Sequence, residues 1–390
     1  MVIVSVDPAY STIQKTVEYQ PIYCRQQQAR IVSPYRTAFS SNKRKYKNIK
    51  TRKEKRIIRG QKMDAEYEMA LSSRLQRSKR PLTPLGRDGT VPLDETYAET
   101  VNHYGRIFQQ HALASKTYFA PIDEEEIARL GEMHSMLGTV FDNRLIFPPV
   151  SKPGKILECG FGAADWAVDV AEHYPDAEVV GLDISPHMIP EVLPDNLDLQ
   201  VDDLNGEFTF PSNYFDVVHS QMMAGGIHAT RWPSYLRDMY RVLQPGGWCQ
   251  LVEIYFNAQS DNGTLSADHA LSRWSSGYLD AMHPQKDPRA ALRLKEWMRS
   301  AGFTDIESRL LTLPMCPWPT DPRDKQIGAL NVSNVSQLLY STGLYPFTQM
   351  RGMPAEDFQL LVAQARNEAN NPSYRAYFPL YVFIGRKPHP

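Results

Sequence analysis

Short apolar runs of strand length alternate with amphipathic helical stretches after residue 152. The runs are KILECGF, AEVVGLDIS, LDLQVDD, FDVVHSQ and WCQLVEIYF, in that order. Strands that alternate with single helices at this spacing predict right-handed βαβ units and a parallel sheet. Two later strand patterns, DIESRLLTL and AYFPLYVFIG, complete a predicted α/β fold. It is a seven-stranded, mostly parallel sheet whose last strand runs antiparallel.

The preceding segment, from Tyr97 to Phe147, has a helical pattern. Asp123 is a predicted helix N-cap, because the three glutamates that follow it would be stabilised by the positive end of a helix. Apolar residues then recur at three- and four-residue steps between Ile127 and Leu137. We therefore predict three parts, which are residues 1–93 as an arm and linker, 94–150 as a helical N-terminal lead-in, and 151–390 as an α/β domain with insertions within 257–375.

The composition places the chain among soluble globular proteins. Its 390 residues are 42% hydrophobic and 22% charged, with a formal net charge of -1, which argues against binding of the whole chain to nucleic acid or membrane. The apolar runs fall short of the ~18 residues that a membrane span needs, and the start of the chain has no signal-peptide pattern. The four cysteines form no CxxC pair, which favours a reducing compartment. We therefore expect a cytoplasmic or nuclear protein.

A strongly basic segment interrupts this even composition. From Lys43 to Lys62 the chain carries eleven lysines and arginines against the single acid Glu54. Like charges repel one another and bury little surface, so residues 1–93 are predicted to form a solvated arm and linker. Two interpretations of the arm are open: a silent extension, or a nuclear import signal formed by its two basic clusters. Specific nucleic-acid binding is not expected, because the arm lacks the interleaved aromatics or zinc ligands of base readout.

Glycines and carboxylates follow three of the predicted strands. The first strand leads into Gly160 and Gly162, which allow a tight turn with a ligand close to the backbone. Asp183 ends the second strand, where a carboxylate can accept hydrogen bonds from both ribose hydroxyls of a nucleoside. Asp202 and Asp203 end the third strand at the same edge of the sheet. The three strand ends together predict a nucleoside-binding site.

The turn after the first strand distinguishes between nucleoside ligands. A dinucleotide site typically has a third glycine in this turn and seats phosphate on a helix N-terminus. Here Ala164 occupies the third position, and Asp165 places a negative charge where the phosphate would lie. Glu158 also suits a cationic amino-acid group better than a phosphate. The residues therefore favour S-adenosylmethionine over NAD, and an NAD-dependent oxidoreductase is the weaker alternative.

Several longer motifs resemble those of known enzymes. ILECGFGAADWAVDVAEHYP, VVGLDISP, FDVVHS and RVLQPGGW resemble the class I S-adenosylmethionine-dependent methyltransferases, and more narrowly the fungal LaeA-like methyltransferases of secondary metabolism. The upstream motifs YGRIF and TYFAPIDEEEIARLGEMH, with Trp166 after the glycine turn, support the narrower match. The resemblance covers residues 100–390 and is strongest from Lys155 to Glu253. It implies the Rossmann-like fold of that class.

The resemblance also implies a set of residues that bind S-adenosylmethionine, namely Tyr118, Glu158, Gly160, Gly162, Asp183, Asp202 and Asp203. The two glycines would pass under the methionine part, and Glu158 would support their turn. Asp183 would hold the ribose. Asp203, or else Asp202, would bind the adenine amino group, and Tyr118 of the lead-in would close over the cofactor.

Two histidines are candidates for catalysis. His219 ends the fourth strand and would face the transferred methyl group, and His228 lies a short way beyond it. Methyl transfer mainly requires alignment in a dry pocket, and a general base helps only when the acceptor is a hydroxyl or a protonated amine. A structural role is the alternative for each ring.

Two positions depart from the pattern of the resembled family. Ala164 stands where a third glycine is common, and we expect it to be tolerated if it already lies in the helix. Gln221 stands where an arginine is frequent. We expect this difference either to alter the acceptor pocket or to reduce activity. The histidines form no cluster with carboxylates at metal-ligand spacing, so no metal is expected.

The resemblance leaves two functions open. The first is methyl transfer from S-adenosylmethionine to an O, N or C nucleophile of a small molecule, a fungal secondary metabolite, with the acceptor entering between the lead-in and the sheet. The alternative is a nuclear, methyltransferase-like regulator of secondary-metabolite gene clusters that acts through protein partners. Neither function implies a membrane partner.

Overall fold

A computed structural model describes residues 93–390 of the chain. The predicted arm and linker, including the basic segment Lys43 to Lys62, lie outside the described residues. Residues 93–390 contain ten strands, namely β1 Thr100–His103, β2 Arg106–Gln109, β3 Lys155–Cys159, β4 Glu178–Asp183, β5 Leu197–Val201, β6 Phe215–Gln221, β7 Leu243–Ile254, β8 Gln259–Ser260, β9 Thr304–Pro314 and β10 Ala376–Arg386. The described α-helices are α1 Gln110–Ala114, α2 Glu124–Val140, α3 Asp165–His173, α4 Trp232–Val242, α5 Ala270–Met282, α6 Leu294–Ala301, α7 Pro322–Tyr345 and α8 Ala355–Ala369.

The main sheet has the predicted topology. Its strands lie in the order β5-β4-β3-β6-β7-β10, and β9 and the two-residue β8 both pair with β10. Strands β3 to β7 run parallel, and β10 runs antiparallel to β7. The Rossmann-like, seven-stranded, mostly parallel fold is therefore confirmed, with β8 as a short addition. Because the strands from β3 to β7 are parallel, their carboxyl ends meet at one edge.

Apolar side chains bury both faces of this sheet, which explains why the strands read as nearly continuous apolar runs. On one face, α4 packs against β3 and β6 in a core that contains Trp232, Tyr235 and Leu236. On the other face, Trp166 and Val170 of α3 pack on Ile156, Val179 and Val217. Complete burial of a large apolar side chain contributes roughly 1.5–3 kcal/mol, so each helix is fixed to its face by several such contacts.

The lead-in and the insertion share a third core. Helix α2 packs against α7, and α5 packs against α8, around buried side chains that include Met136, Trp274 and Phe358. The segment 100–109 is a two-stranded hairpin, whereas the sequence predicted a helical pattern there. Helix α5 was not predicted from the sequence. No helix in residues 93–390 is long and apolar enough to cross a membrane.

Candidate active site

The glycine turn after β3 has the backbone that the sequence predicts. Gly160 and Gly162 have φ values of 83° and 54°, in the left-handed region that glycine enters without strain. The N–H groups of Gly160 and Phe161 donate to the Leu182 carbonyl at 2.7 and 3.2 Å, which fastens the turn to β4. A Cβ added at Gly160 would collide with the sulfur of Met223. The methionine side chain therefore lies directly over the turn, and its rotatable bonds let it turn aside for a ligand.

Ala164 lies just before α3 and not inside it. It is the N-cap of that helix with φ 63° and ψ 18°, so it is left-handed. The condition under which alanine was expected to be harmless is therefore not met. A left-handed alanine costs roughly 1–2 kcal/mol more than a right-handed one, and this explains in physical terms why glycine would be favoured there.

Glu158 is a buried carboxyl group beneath this turn, with 3% of its surface exposed. Burial, followed by the nearby charges of Asp183 and Asp165, raises its pKa well above the usual value, and a hydrogen bond from the Ala167 N–H opposes the shift only in part. Its Oε2 atom is buried without a hydrogen-bond partner. A buried oxygen without a partner is costly unless a ligand satisfies it, so this atom fits a cationic amino group at the site.

Asp183 is held in place by the turns on both sides of it. Its Oδ2 accepts from the Gly162 N–H at 2.9 Å, and its Oδ1 accepts from the Ser185 N–H at 3.0 Å. Burial raises its pKa, and these backbone hydrogen bonds oppose the shift. Each oxygen of a carboxylate can accept a second hydrogen bond. Asp183 is therefore oriented for two further donors, as a ribose provides.

Asp202 and Asp203 lie side by side after β5, at the same edge. Asp203 Oδ1 accepts from the N–H and the side-chain amide of Asn205 at 3.0 and 2.8 Å. Asp202 Oδ1 accepts from the Asp203 N–H at 2.8 Å, and burial raises its pKa. Burial, followed by Asp203 and Asp202, raises the pKa of Tyr97 in the lead-in. The lead-in thus lies close to the carboxylates that are predicted to bind adenine.

Tyr118 and α2 lie on the other side of the glycine turn. Burial raises the pKa of Tyr118, and Glu126 and Asp183 raise it further. Beside it, Arg129 and Glu126 form a buried bidentate ion pair at 2.7 and 3.0 Å. A Cβ added at Gly162 would lie 3.7 Å from Leu130 of α2. The predicted cofactor residues therefore come together between the sheet edge and the lead-in.

A small cavity opens beyond the ends of β6 and β7. Its lining residues are Met222, Ala224, Gly225, Glu253, Ile254, Phe256, Tyr278 and Pro288. Glu253 is 2% exposed and accepts from the Met223 and Ala224 N–H groups at 2.7 and 3.3 Å. Burial raises its pKa to about 8. The segment that carries these two N–H groups also places the Met223 sulfur over Gly160, so the cavity adjoins the glycine turn.

Glu253 was not predicted from the sequence as a site residue. A signal for Glu253 was present, because an acid inside the apolar run WCQLVEIYF requires a reason. Tyr278 lies on α5, which was not predicted as a helix.

His219 is fully buried on the α3 face of the sheet. Its ring stacks on Trp166 with a centroid distance of 3.9 Å, and Gln250 Nε2 lies 3.1 Å from its Nδ1. Burial, followed by His134, lowers its pKa to about 3, so the ring is neutral near pH 7. Its Nε2 has no hydrogen-bond partner. So weak a base is poorly matched to proton transfer near neutrality.

His228 lies elsewhere, beside the lead-in. Its ring Nε2 is 3.2 Å from the Lys116 carbonyl, and its backbone N–H donates to Asn205 Oδ1 at 2.7 Å. Burial, followed by Lys286, lowers its pKa. Neither histidine is among the residues that line the cavity next to Glu253. Gln221 ends β6, half-buried, and pairs with Val252 of β7. Within residues 93–390, no three His, Cys, Asp or Glu side chains are arranged to hold a metal ion.

The residues at the edge fit S-adenosylmethionine on three observations: the glycine cradle, the unpartnered Glu158 oxygen, and the free acceptor capacity of Asp183. The sequence also matches the family described as "Methyltransferase domain" over residues 156–247, which contains the glycine turn and both carboxylate strand ends. The fold and the site therefore define a methyltransferase that uses S-adenosylmethionine.

Curated relatives narrow this class. The chain is 32% identical over 306 residues to the "Secondary metabolism regulator laeA" of Monascus pilosus, across 76% of this chain and 81% of the relative. It is 30% identical to the "Protein-methionine methyltransferase laeA" of Emericella nidulans, across 78% and 83%. It is 31% identical to the "Methyltransferase pytC" of Aspergillus terreus, across 72% and 86%. The chain belongs to the LaeA-like methyltransferase family.

Proposed function

We propose that the protein transfers a methyl group from S-adenosylmethionine to an O, N or C nucleophile of a small molecule, a fungal secondary metabolite. The observation that carries this proposal is the cavity that Glu253 and Tyr278 line beside the glycine turn. Its walls are apolar apart from these two side chains, and its volume of about 20 Å³ has room for one water molecule, so it marks the place of the polar reacting group and not of the whole acceptor. The relative named "Methyltransferase pytC" supports an enzymatic role.

We assign the cofactor contacts to the residues at the sheet edge. Gly160 and Gly162 bring the backbone close to the methionine part, and Glu158 accepts from its amino group. Asp183 accepts from the ribose hydroxyls, and Asp203 or Asp202 from the adenine amino group, while Tyr118 closes the site from the lead-in. The cofactor supplies a sulfonium-bound methyl group that is already electrophilic, so these residues need only bind and align it.

Glu253 is best placed to take a proton from the acceptor. It lies in the cavity wall, and a pKa of about 8 is close to the operating pH that a general base requires. The Met223 and Ala224 N–H groups hold its carboxylate in one orientation. Catalysis by His219 or His228 stays a prediction, and the buried, weakly basic environment of His219 argues against a role as base.

A regulatory function is the second candidate. Relatives are named "Secondary metabolism regulator laeA" and "Protein-methionine methyltransferase laeA", which favours a protein acceptor or protein partners for this chain as well. Under this proposal the segment Lys43 to Lys62 directs the protein to the nucleus, whereas the enzymatic proposal is compatible with the cytoplasm or the nucleus.

The destination of the methyl group separates the two proposals. The full chain is incubated with tritium-labelled S-adenosylmethionine and a fungal culture extract, and the label is counted in the organic phase and in the protein precipitate. Enrichment in the organic phase, absent with Asp183→Ala, supports the small-molecule acceptor. Label in protein alone contradicts it and favours the regulator. In that case, neutralising the basic residues of 43–62 should remove the protein from the nucleus, as a fluorescent fusion would show.

A further inference from the structure

Lys286 is a fully buried lysine on the segment that follows α5. Its ammonium nitrogen donates to the Thr117 carbonyl at 2.8 Å and to the Gly226 carbonyl at 2.7 Å. Lysine is almost never fully buried without such partners, because its charge loses the solvation of water. The two carbonyls therefore replace the water that would otherwise solvate the ammonium group.

The two carbonyl groups belong to segments on opposite sides of the cofactor residues. Thr117 directly precedes Tyr118 in the lead-in. Gly226 lies in the β6 loop, which comprises residues 222–231, and its carbonyl also accepts from the Asn205 side chain at 3.2 Å. The same Asn205 amide donates to Asp203 at 2.8 Å. One lysine thus connects the Tyr118 side of the site to the Asp203 side.

The backbone around Lys286 is itself fixed. Residues His228 and Lys286 form an antiparallel bridge, and the Ala229 N–H donates to the Gln285 carbonyl at 2.9 Å. The Lys286 N–H donates to the Met282 carbonyl at the end of α5 at 2.9 Å. The lysine is therefore anchored to the β6 loop and α5, and the lead-in is the part that its side chain restrains.

We propose that Lys286 is a positioning residue that holds the lead-in closed over the cofactor. It contacts neither the sheet edge carboxylates nor the acceptor cavity directly, and it acts through Thr117 and thus through Tyr118. A plain packing role predicts that an apolar side chain of similar volume replaces lysine without consequence for ligand exchange. If Lys286 acts as a clamp between the lead-in and the β6 loop, removal of its ammonium group should speed ligand release.

Ionisation of Lys286 adds a second, separate readout. Burial lowers its pKa to about 7, and the charge of Asp203 opposes the shift. The titratable groups that face it are Asp203, on the loop after β5, and His228, across the bridge, whose own pKa burial and Lys286 lower. Hydrogen bonds from a charged donor are stronger than those from a neutral one. The clamp should therefore weaken as pH rises through about 7.

The test compares Lys286→Met with Lys387→Met in the full chain. Lys387 is a matched control, because its ammonium also donates to two backbone carbonyls, those of Leu243 and Arg241, at 2.7 and 3.3 Å. These carbonyls lie at the end of α4 and the start of β7, opposite the carboxyl edge. The dissociation rate of S-adenosylhomocysteine is measured by stopped flow at about pH 6 and about pH 8.5, on either side of the lysine pKa. Amide hydrogen exchange of residues 115–119 is measured without ligand.

At the lower pH, Lys286→Met should release S-adenosylhomocysteine at least about fivefold faster than the parent, as loss of a charged hydrogen bond implies. It should also exchange the amides of residues 115–119 faster, while Lys387→Met matches the parent in both. The parent rate should rise toward the higher pH, and the variant rate should rise less. The proposal is overturned if Lys286→Met stays within about twofold of the parent, or if both variants change alike. Lys286→Gln, which keeps an amide donor, replaces the methionine variant if that chain does not fold.

Discussion

At the scale of single residues, the site depends on carboxyl groups withdrawn from water. Burial raises the pKa of Glu158, of Asp183 and of Glu253. Backbone N–H groups hold each of the three and oppose the shift without cancelling it. Such groups are stable only where hydrogen bonds or a ligand satisfy their oxygens, which fits their position together at the edge that we propose binds the cofactor.

Glu253 makes the stability of the protein depend on pH. Its folded pKa of about 8 lies above the usual 4.5, so the folded chain retains a proton that the unfolded chain has lost. The associated stability is present below the unfolded pKa and is lost as pH rises through about 8. At ~1.4 kcal/mol per pKa unit, the loss for the parent is at most about 5 kcal/mol, and Glu253→Gln should not show it.

Urea unfolding of the parent and of Glu253→Gln between about pH 5 and about pH 9 checks this dependence. Glu307→Gln, at an exposed glutamate of β9, is the control and should follow the parent. If the difference between the parent and Glu253→Gln is constant within about 1 kcal/mol over this range, then Glu253 is not protonated in the folded chain.

Sequence reasoning found the residues whose chemistry follows from their place at a strand end. Gly160, Gly162 and Asp183 were predicted because buried strands and their turns are local patterns. Glu253 and Lys286 were not, because their partners come from segments far away in sequence. Glu253 meets the β6 loop, and Lys286 meets Thr117, 169 residues earlier. Such contacts depend on tertiary packing, which no local pattern encodes.

At the scale of elements, α2 links the lead-in to the glycine turn. Asp123 caps it, as the sequence predicts, through a hydrogen bond from the Glu126 N–H at 3.1 Å. The same carboxylate accepts two bonds from Arg106 at 2.7 Å and one from the Ile107 N–H at 3.1 Å. The cap therefore also attaches β2 to the helix.

Removal of this cap should destabilise the lead-in. Asp123→Ala loses an N-cap and a largely buried ion pair, for which we expect about 3 kcal/mol less stability. Glu125→Ala, at an exposed glutamate of the same helical turn with a 3.7 Å approach to Arg106, should lose less than about 1 kcal/mol. Chemical denaturation measures both. Equal losses in the two variants would show that the Asp123 contacts contribute no more than a surface pair.

The hairpin of β1 and β2, like α5, was not predicted from the sequence. Its turn places Tyr104 and Gly105 at φ values of 52° and 84°. Two consecutive left-handed residues are typical of tight hairpin turns, which usually contain Asn-Gly or Asp-Gly. Tyr-Gly is a weaker signal, and the polar residues on either side resemble one face of a helix. Tertiary contacts thus override the helical propensity of this segment. It docks beside β4, where the Gln109 side chain donates to the Ile184 carbonyl at 3.0 Å.

At the scale of the whole molecule, the residues assigned to the cofactor lie between the main sheet and the lead-in. Side chains of both pack in the third core. The sheet contributes Glu158, Asp183 and Asp203, and the lead-in contributes Tyr118. The third core, formed by α2, α5, α7 and α8, joins the lead-in to the insertion that carries Tyr278. The position of the lead-in and the cavity lined by Tyr278 therefore depend on the same packing.

We predict that this sheet edge binds S-adenosylmethionine through Asp183. Isothermal titration calorimetry of the full chain with S-adenosylmethionine, S-adenosylhomocysteine and NAD tests it most directly. Asp183→Ala is measured in parallel, and Asp198→Ala, at an exposed carboxylate on the neighbouring strand β5, is the control.

We expect micromolar binding of both sulfur nucleosides and no binding of NAD. Loss of two charge-assisted hydrogen bonds, at ~1.5–3 kcal/mol each, should weaken binding to Asp183→Ala by about a hundredfold or more, and Asp198→Ala should match the parent. Binding of NAD in place of the sulfur nucleosides, no binding by the parent, or an Asp183→Ala affinity within about threefold of the parent would contradict the account.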